Sequence, residues 1–360
     1  MNNYVQQMVD WIEENLTGEF SLDKLANDLG YSPYYCSFRF HQATGISMRR
    51  YVLLRRLYLS TADLRNNRKV IDIAFDYGYS SQEAYSRAFK TVFGITPREF
   101  QIKRLPVQSF ERLSIYQSGD GDKMVLNRER ELKKLKNLNR ELFDRNVLNI
   151  LNGQMMYEEF KEKKLMGDSD CVPFNEAMCV HVTTRQIFDE EFIRMRAACH
   201  QSSVEEYQKT VIHSVKPLLE NEYKYIVLWF GEDVFCQMNL LTLLAYLEQK
   251  GYKGRVFFNQ FRDDEFKVNQ MELELGNYTM IYEDVLVHHK KTSVEVLPVL
   301  YQAIHWFLEM QMENNEVIKY IRNNQHVPTP ELVKQLFTLF PTLGYGDTQY
   351  MEHINKVKLK

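Results

Sequence analysis

Acidic and amide side chains in the second half of the chain are the first groups with the chemistry of a binding site. Several stand in apolar stretches or directly after a predicted buried strand. Their oxygens suit a cationic or hydroxyl-rich small molecule, or a divalent metal. The candidate ligand-binding residues are Asp168, Asp170, Asn175, Glu176, Trp229, Glu232, Asp233 and Asp347. The alternative is that the aspartates at 168, 170 and 347 are only turn and cap residues.

Basic residues are concentrated in the first part of the chain. Residues 1–140 carry 22 Lys and Arg against 16 Asp and Glu, a net charge of +6, whereas residues 141–360 carry a net charge of −9. Such asymmetry is typical of a polyanion-binding module joined to a second, acidic domain. It also arises by chance between two surfaces, so charge alone leaves both interpretations open.

The composition is that of an ordinary globular protein. The 360 residues suit two domains, and 44 % hydrophobic with 26 % charged residues excludes a disordered or collagen-like chain. No apolar run approaches the roughly 18 residues of a membrane span, and the amino-terminal segment lacks a secretory signal pattern. Five scattered cysteines without CxxC spacing favour reduced thiols. We therefore expect a cytoplasmic protein with no membrane-spanning segment.

An internal repeat lies within the first hundred residues. Leu25–Ser32 aligns with Ile73–Ser80, and Ser37–Gly45 aligns with Ser86–Gly94. Each copy predicts a short helix ended by a glycine and then a second helix capped by a serine, with Ser80 or Ser81 as the second copy's cap. Two short helices joined by a tight turn form a helix-turn-helix, whose second helix can enter a DNA major groove.

A stretch without Gly or Pro separates the two copies. Residues 46–64 keep apolar residues at helical spacing, which predicts a helix of about 19 residues, roughly 28 Å long. Such a rod could hold the two second helices about one turn of B-form DNA apart, roughly 34 Å. Both helices would then reach successive major grooves on one face of the duplex.

These features resemble the AraC/XylS family of bacterial transcription regulators over residues 1–104. The resemblance is carried by Val70-Ile71-Asp72-Ile73-Ala74, Gly78-Tyr79-Ser80-Ser81-Gln82, Ser86-Arg87-Ala88-Phe89-Lys90 and Phe93-Gly94-Ile95-Thr96-Pro97-Arg98-Glu99-Phe100. The domain stands first in the chain, which is similar to the Rob-type regulators and unlike most of the family. The resemblance implies an all-α double helix-turn-helix that binds double-stranded DNA and works with RNA polymerase.

The resemblance also implies that the exposed face of the second helix in each copy reads bases. Its Arg, Gln, Glu and Tyr side chains suit guanine, adenine, cytosine and the thymine methyl group respectively. The base-reading candidates are Tyr34, Tyr35, Ser37, Arg39, Gln42, Gln82, Glu83, Ser86, Arg87 and Lys90. The phosphate-contacting candidates are Arg49, Arg50, Arg55, Arg56, Arg68, Lys69 and Arg98, with Lys103 and Arg104.

The first copy departs from the family pattern at Phe38 and Arg39, where a basic residue usually precedes an apolar one. Either Arg39 contacts a base while Phe38 packs inside, or the first copy binds DNA more loosely. The alternative for the basic residues is a solvated helix face. For Tyr34 and Tyr35 the alternative is packing in the core.

The chain changes character after residue 104. Residues 105–145 contain a turn-rich break and a charged segment over 124–145, so we predict a partly helical linker. We expect its charged helix to be a solvated connector; the alternative is that Leu132, Leu135 and Leu138 face a partner. From residue 146, predicted strands at 147–151, 225–230 and 255–258 alternate with helices, which favours a short parallel sheet with a helical C-terminal part. The expected fold class is multidomain α plus α/β, with domains at 1–104 and 146–360.

Residues 147–357 resemble a bacterial domain of unknown function. The matching motifs are Asn149-Ile150-Leu151-Asn152-Gly153, Gly167-Asp168-Ser169-Asp170, Pro173-Phe174-Asn175-Glu176-Ala177, Leu228-Trp229-Phe230-Gly231-Glu232-Asp233 with Gln237, and Gly346-Asp347-Thr348-Gln349-Tyr350. Ligands of open parallel sheets bind beyond the carboxyl ends of the strands, where Gly153, Glu232 and Asp233 would project. Phosphate-loop, zinc and nucleophile-elbow spacings are absent from the sequence, so we predict no cofactor, metal or catalytic residue.

We interpret the protein as a sequence-specific transcription regulator, a monomer or homodimer, whose second domain senses a small-molecule effector or a partner. One alternative is an enzyme, a carboxylate- or metal-dependent hydrolase or transferase attached to a DNA-binding module. The other is a protein-interaction scaffold that uses the helices of residues 294–357.

Overall fold

The computed structural model describes residues 3–18, 20–114, 131–262 and 267–358. The first part is helical, which confirms the predicted double helix-turn-helix: α2 and α3 form the first unit, α5 and α6 the second, and α4 the spacer. The helices are α1 Asn3–Glu14, α2 Leu22–Leu29, α3 Pro33–Thr44, α4 Met48–Arg65, α5 Val70–Asp76, α6 Gln82–Phe93 and α7 Pro97–Lys103.

Local signals explain where α3 and α6 begin and end. The hydroxyls of Ser32 and Ser81 accept the backbone N–H three residues on, at 3.1 and 3.2 Å, and Pro33 takes the first helical position. Ser81 is therefore the cap of α6. Gly45 and Gly94 follow the last residues with φ of 72° and 77°. A β-carbon disfavours this left-handed backbone, so glycine suits both ends.

Helix α4 belongs to two hydrophobic cores. Its first half contributes Met48, Tyr51 and Val52 to the core of the first unit, and its second half contributes Leu57 and Leu64 to the core of the second. The helix has 18 residues and is about 27 Å long. Because one continuous helix is buried in both cores, it sets the distance between the two units.

The second part is an α/β domain, which confirms the expected fold class. Its elements are α8 (131–138), β1 Val147–Asn152, α9 Gln154–Glu162, β2 Asp170–Phe174, α10 Glu190–Cys199, α11 Val204–Tyr207, α12 Lys216–Glu220, β3 Tyr225–Phe230, α13 Val234–Gln249, β4 Arg255–Arg262, β5 Lys267–Leu273, α14 Tyr278–Tyr282, α15 Pro298–Met310, α16 Glu316–Asn323, α17 Thr329–Leu339 and α18 Asp347–Lys358. Within the described ranges, no helix is both long and apolar enough to cross a membrane.

The sheet has the strand order β2-β1-β3-β4-β5. Strands β2, β1, β3 and β4 are parallel, and β5 pairs with β4 in the antiparallel sense. The sequence did not predict β2 and β5, which are the two edge strands. Strand β2 is short and contains Pro173, whereas β5 is rich in polar residues, and both features weaken a strand signal.

Alternate residues of each central strand face two different cores. In β1, Leu148 and Ile150 face a large core built with α13, α15 and the C-terminal helices, whereas Val147 and Leu151 face a smaller core with α8 and α9. Both faces of the sheet are therefore covered, as is usual for parallel strands.

The predicted linker is only partly described, because its turn-rich break at Gly119–Asp122 lies outside the described residues. In the described helix α8, Leu132 is buried and Leu135 partly buried in the smaller core, while Leu138 is exposed. The solvated connector and the partner-facing alternative are thus both wrong for the first two leucines, which pack on the sheet of their own chain.

Residues 105–114, which we call the interdomain strap, run between the two parts. The Pro106 carbonyl accepts a backbone N–H of α15 at 3.1 Å, and the Gln108 N–H donates to a glutamine side chain of α15 at 2.7 Å. Toward the first part, Arg55 of α4 donates to the Phe110 carbonyl. The strap therefore hydrogen-bonds to the helices on both sides of it.

Candidate functional site

Helix α6 buries one face and leaves the other in solvent. Tyr85, Phe89 and Phe93 are fully buried in the core of the second unit. The base-reading candidates of this helix lie between them: Gln82, Glu83, Arg87 and Lys90 are exposed, and Ser86 is partly exposed. A recognition helix that enters a groove needs polar groups placed in this way.

The Glu83 carboxyl lies in the first turn of α6. Backbone N–H donation at the helix start and the Ser81 hydroxyl lower the pKa of Glu83 below its usual value. The side chain is therefore a carboxylate at neutral pH. It can accept a hydrogen bond from a base edge but cannot donate one.

A cleft of about 660 Å³ lies beside the start of α6. It is lined by Gln82 and Ser86 of α6 and by the phosphate candidates Arg68, Lys69 and Arg98 from the starts of α5 and α7. All three cationic residues are exposed. Arg68 also pairs with aspartates of α4 and α5, at 3.2 and 2.5 Å. The cleft thus places positive charge next to the polar face of α6, as phosphate binding beside a groove requires.

Helix α3 offers an aromatic surface in the corresponding place. Tyr34 is 79 % exposed and Phe38 is 51 % exposed, and their rings stack with centroids 6.2 Å apart. Tyr35 is 36 % exposed, and Ser37 and Gln42 are also exposed. The alternative that Tyr34 packs in the core is therefore wrong.

Arg39 lies against α1. Its guanidinium donates to the Tyr4 hydroxyl and, at 2.9 Å, to Gln42 Oε1, and it sits 5.0 Å from the centre of the Tyr4 ring. The neighbouring Phe38 points outward instead. The expectation that Phe38 packs inside while Arg39 faces DNA is wrong for Phe38, because the arginine occupies the inner position.

Arg55 and Arg56 correct the expected set of phosphate contacts. Both residues are only 8 % exposed. Arg55 forms a bidentate ion pair with Glu13 at 2.8 and 2.7 Å, and Arg56 donates to the carbonyls of Leu16 and Gly18 at 2.7 and 2.6 Å. These side chains tie α4 to α1 and the following loop, so they are not available to phosphates.

Arg50 is half-buried and faces the second domain. Burial lowers the pKa of its guanidinium, and the nearby Glu309 of α15 opposes that effect. Lys103 also contacts the second domain, through an ion pair with Glu295 at 2.9 Å. The phosphate candidates that remain exposed are Arg49, Arg68, Lys69, Arg98, Lys103 and Arg104.

Comparisons with known proteins match this first part of the chain. The family described as "Helix-turn-helix domain" matches residues 25–103. Regulatory protein SoxS of Salmonella typhimurium is 35 % identical over 98 residues, which are 27 % of this chain and 92 % of SoxS. The chain belongs to the AraC family of DNA-binding transcription regulators.

Two further matches each cover 28 % of this chain. The Transposon Tn10 TetD protein of Escherichia coli is 33 % identical over 102 residues, 28 % of this chain and 74 % of TetD. A solved transcriptional regulator with an AraC-type DNA-binding domain, from Chromobacterium violaceum, is 28 % identical with a TM-score of 0.27, over 28 % of this chain and 90 % of that one. The family match over residues 25–103 and the similarity to SoxS confirm the predicted resemblance to the AraC family.

The acidic candidates of this AraC-family chain do not form one pocket. Asp170 begins β2, with Asp168 just before it, whereas Glu232 and Asp233 follow the end of β3. Because β2 and β3 run in the same direction, the start of one strand and the end of the other lie at opposite ends of the strands. Asp347 is an exposed residue at the start of α18. The single acidic pocket is therefore a wrong prediction, and the turn-and-cap alternative fits Asp347. Among the described residues, no group of three His, Cys, Asp or Glu could hold a metal ion.

Trp229 and Asn175 have structural partners. Trp229 is 1 % exposed in the smaller core, and its indole N–H donates to Asn149 Oδ1 at 2.6 Å. Asn175 donates to Gln154 Oε1 at 3.2 Å and to the Thr210 carbonyl at 3.3 Å. Trp229 is therefore a core residue and does not line the predicted acidic pocket, whereas the Oδ1 atom of Asn175 is buried with no hydrogen-bond partner among the described residues.

Glu176 is at the centre of a buried ionic cluster. Its carboxylate pairs with Arg196 at 2.6 Å and His200 at 2.7 Å, and it accepts the Tyr207 hydroxyl. Burial alone would raise the pKa of Glu176, but Arg196 and His200 hold it well below its usual value. The carboxylate is thus ionised and fully engaged, which suits a structural role.

Glu232 and Asp233 lie at the strand-order switch of the sheet, beyond the carboxyl end of β3. Glu232 accepts hydrogen bonds from the Ser109 N–H at 3.1 Å and from the Ser109 hydroxyl. Asp233 caps α13 by accepting the Cys236 N–H at 2.8 Å. A cavity of about 390 Å³ opens here, between α4, the interdomain strap and the helices of the second domain. This cavity has no signal in the sequence, because its walls come from three distant segments.

Proposed function

We propose that the protein binds a specific DNA operator with the exposed faces of α3 and α6, and that the second domain changes this binding when it takes up a small-molecule effector. RNA polymerase, which the family resemblance implies, is the partner through which binding would act on transcription. The observation that carries the proposal is that the second domain contacts the same end of both recognition helices.

The contacts lie at the two glycines that end α3 and α6. A β-carbon added to Gly94 would be 2.7 Å from Cγ of Tyr301, and one added to Gly45 would be 3.2 Å from Cζ of Phe340. Helix α15 also packs against α6. The second domain is therefore in a position to shift both helices together.

The opposite ends of the helices stay free for DNA. Residues near the start of a recognition helix contact base edges. In α6 these are Gln82, Glu83 and Arg87, and all three are exposed. The net positive charge of residues 1–140 attracts a polyanion, while the net negative charge of residues 141–360 directs it to the first part.

Replacing Arg87 by Ala tests base reading. We expect the affinity for the operator to fall by about 1–3 kcal/mol and the sequence preference to relax at one base pair, because a side chain that can bind guanine is lost. The operator is first identified by selecting bound duplexes from a random pool, and affinity is then measured by fluorescence anisotropy. Arg194→Ala, an exposed arginine of the second domain, is the control. An unchanged selected sequence would reject the role of Arg87.

Replacing both Lys69 and Arg98 by Ala tests the cleft beside α6. We expect weaker binding to every duplex, and a plot of log affinity against log salt whose slope is shallower by about 2, because each lost phosphate contact removes nearly one released counterion. Anisotropy titrations at several salt concentrations measure the slope. Lys334→Ala, an exposed lysine of α17, should leave it unchanged. A wild-type slope in the double variant would exclude both residues as phosphate contacts.

A further inference from the structure

The cavity between the two domains has the position and size of a ligand site. Its volume of about 390 Å³ falls within the range of roughly 300–1,000 Å³ that is usual for small-molecule pockets, which often form at domain interfaces. The residues that give it its chemistry are Arg50 and Leu54 of α4, Gln108 of the strap, Trp306 of α15, and Phe337 and Phe340 at the end of α17.

Arg50 supplies positive charge to this cavity. Within the described residues its guanidinium forms no hydrogen bond and no ion pair, although it is half-buried. The acidic residues of the lining are engaged elsewhere: Glu232 with Ser109, Asp233 as a helix cap, Glu316 with Lys319 at 2.8 Å, and Glu111 with another partner. Glu309 of α15 lies near the Arg50 guanidinium but does not form an ion pair with it. A half-buried guanidinium in this setting is stabilised by a carboxylate, which it can bind through two parallel hydrogen bonds.

Gln108 supplies a hydrogen-bond acceptor. Its side-chain N–H₂ group donates to the carbonyls of Glu232 and Thr342, both at 3.2 Å, which orients the amide. Its Oε1 atom is buried and has no hydrogen-bond partner among the described residues, and Gln108 itself is 1 % exposed. A buried acceptor of this kind favours a ligand with an O–H or N–H donor.

We propose that the cavity binds a small aromatic carboxylate with a hydroxyl or amino substituent. The carboxylate pairs with Arg50, the substituent donates to Gln108 Oε1, and the ring packs between Leu54 and the aromatic side chains of Trp306 and Phe337. The assignment rests on the proposed function, since it names the effector class and the place where the second domain senses it.

The position of the cavity explains how a bound ligand would reach DNA. Arg50 is part of α4, the helix that both helix-turn-helix cores share. Phe340 lines the cavity and also lies against Gly45 at the end of α3. A ligand that bridges α4, the strap and α17 therefore favours one arrangement of the two domains, and by reciprocity operator binding changes the ligand affinity by the same factor.

Isothermal titration calorimetry on the full chain tests the assignment, with 4-hydroxybenzoate and 4-aminobenzoate as probes and 4-hydroxybenzyl alcohol as the uncharged analogue. We expect both carboxylates to bind and the alcohol to bind much more weakly. Arg50→Gln should weaken carboxylate binding on the order of tenfold to a hundredfold. Lys334→Gln, which removes an exposed charge of α17, should leave it unchanged. Absence of carboxylate binding at millimolar concentration, or equal binding by Arg50→Gln, overturns the proposal.

A second measurement separates this proposal from the proposed function. Metabolites extracted from cells are added to the operator complex of the wild type and of Arg50→Gln. A response in the wild type that Arg50→Gln lacks supports both proposals. An equal response in the two proteins leaves sensing in place and rejects the cavity. If the wild type binds the operator but does not respond, the sensing role fails together with the cavity.

Discussion

The Arg55→Ala variant is expected to lose about 3–5 kcal/mol of unfolding free energy, because it leaves the Glu13 carboxylate buried without its cation. Both side chains of this pair are about nine-tenths buried. Tyr51 donates to the same carboxylate at 2.5 Å, so a buried network is disturbed as well. Urea unfolding followed by circular dichroism measures the loss.

Matched variants distinguish this structural role from a phosphate contact. Arg49→Ala removes an exposed arginine of the same helix and should change stability by less than about 0.5 kcal/mol. The double variant Arg55→Leu with Glu13→Leu should recover part of the loss, because no unpaired charge stays buried. If Arg55→Ala keeps wild-type stability but binds DNA with a shallower salt slope, the arginine contacts phosphate after all.

The Arg196→Met variant is expected to destabilise the second domain by a similar amount, about 3–5 kcal/mol at neutral pH. Arg196 is fully buried, and it donates to Glu176 as well as to the carbonyls of Ala177, Val180 and Val182. Methionine fills much of the same volume but leaves the Glu176 carboxylate without its main partner. Urea unfolding followed by tryptophan fluorescence measures the loss of unfolding free energy.

The dependence on pH gives this prediction a second readout. In the wild type the folded pKa of Glu176 lies below its usual value of 4.5, so its contribution to stability is present above that value and is lost as the pH falls. Without Arg196, only His200 remains as a cation to oppose the effect of burial, so the folded pKa of Glu176 rises and protonation relieves the unpaired charge. The difference in unfolding free energy between variant and wild type should therefore shrink from pH 7 to pH 4.

Arg194→Met, at an exposed position of the same helix, should show no such trend. A difference that is constant with pH would mean that Glu176 is not the group involved.

The helix-turn-helix repeat could be predicted from the sequence because its signals are local. Ser32 with Pro33 begins α3, and Gly45 and Gly94 end the recognition helices, through hydrogen bonds and backbone angles within a few residues. The spacer was predicted at residues 46–64 and is found at Met48–Arg65, since its apolar residues recur at helical spacing. The central strands β1 and β3 were also predictable, because both are continuous buried runs.

The roles of the charged residues could not be predicted in the same way. Arg49, Arg50, Arg55 and Arg56 are the same residue type on one helix, yet the first is exposed, the second half-buried and the last two buried. What separates them is the presence of α1 on one side of α4 and of α15 on another. A carboxylate such as Glu176 likewise resembles a ligand-binding group until Arg196, twenty positions later, is seen to pair with it.

The amino-acid sequence by itself determined the double helix-turn-helix, its caps and spacer, the membership of the AraC family and the α/β class of the second part. These follow from contacts between residues close in the chain and from periodic burial. Only the tertiary structure decided that two arginines are structural, that the acidic residues are divided between the two ends of the parallel strands, and that α4, the strap and α17 line a cavity. Those outcomes depend on which distant segments come into contact, and such contacts cannot be predicted from the spacing of residues along the chain.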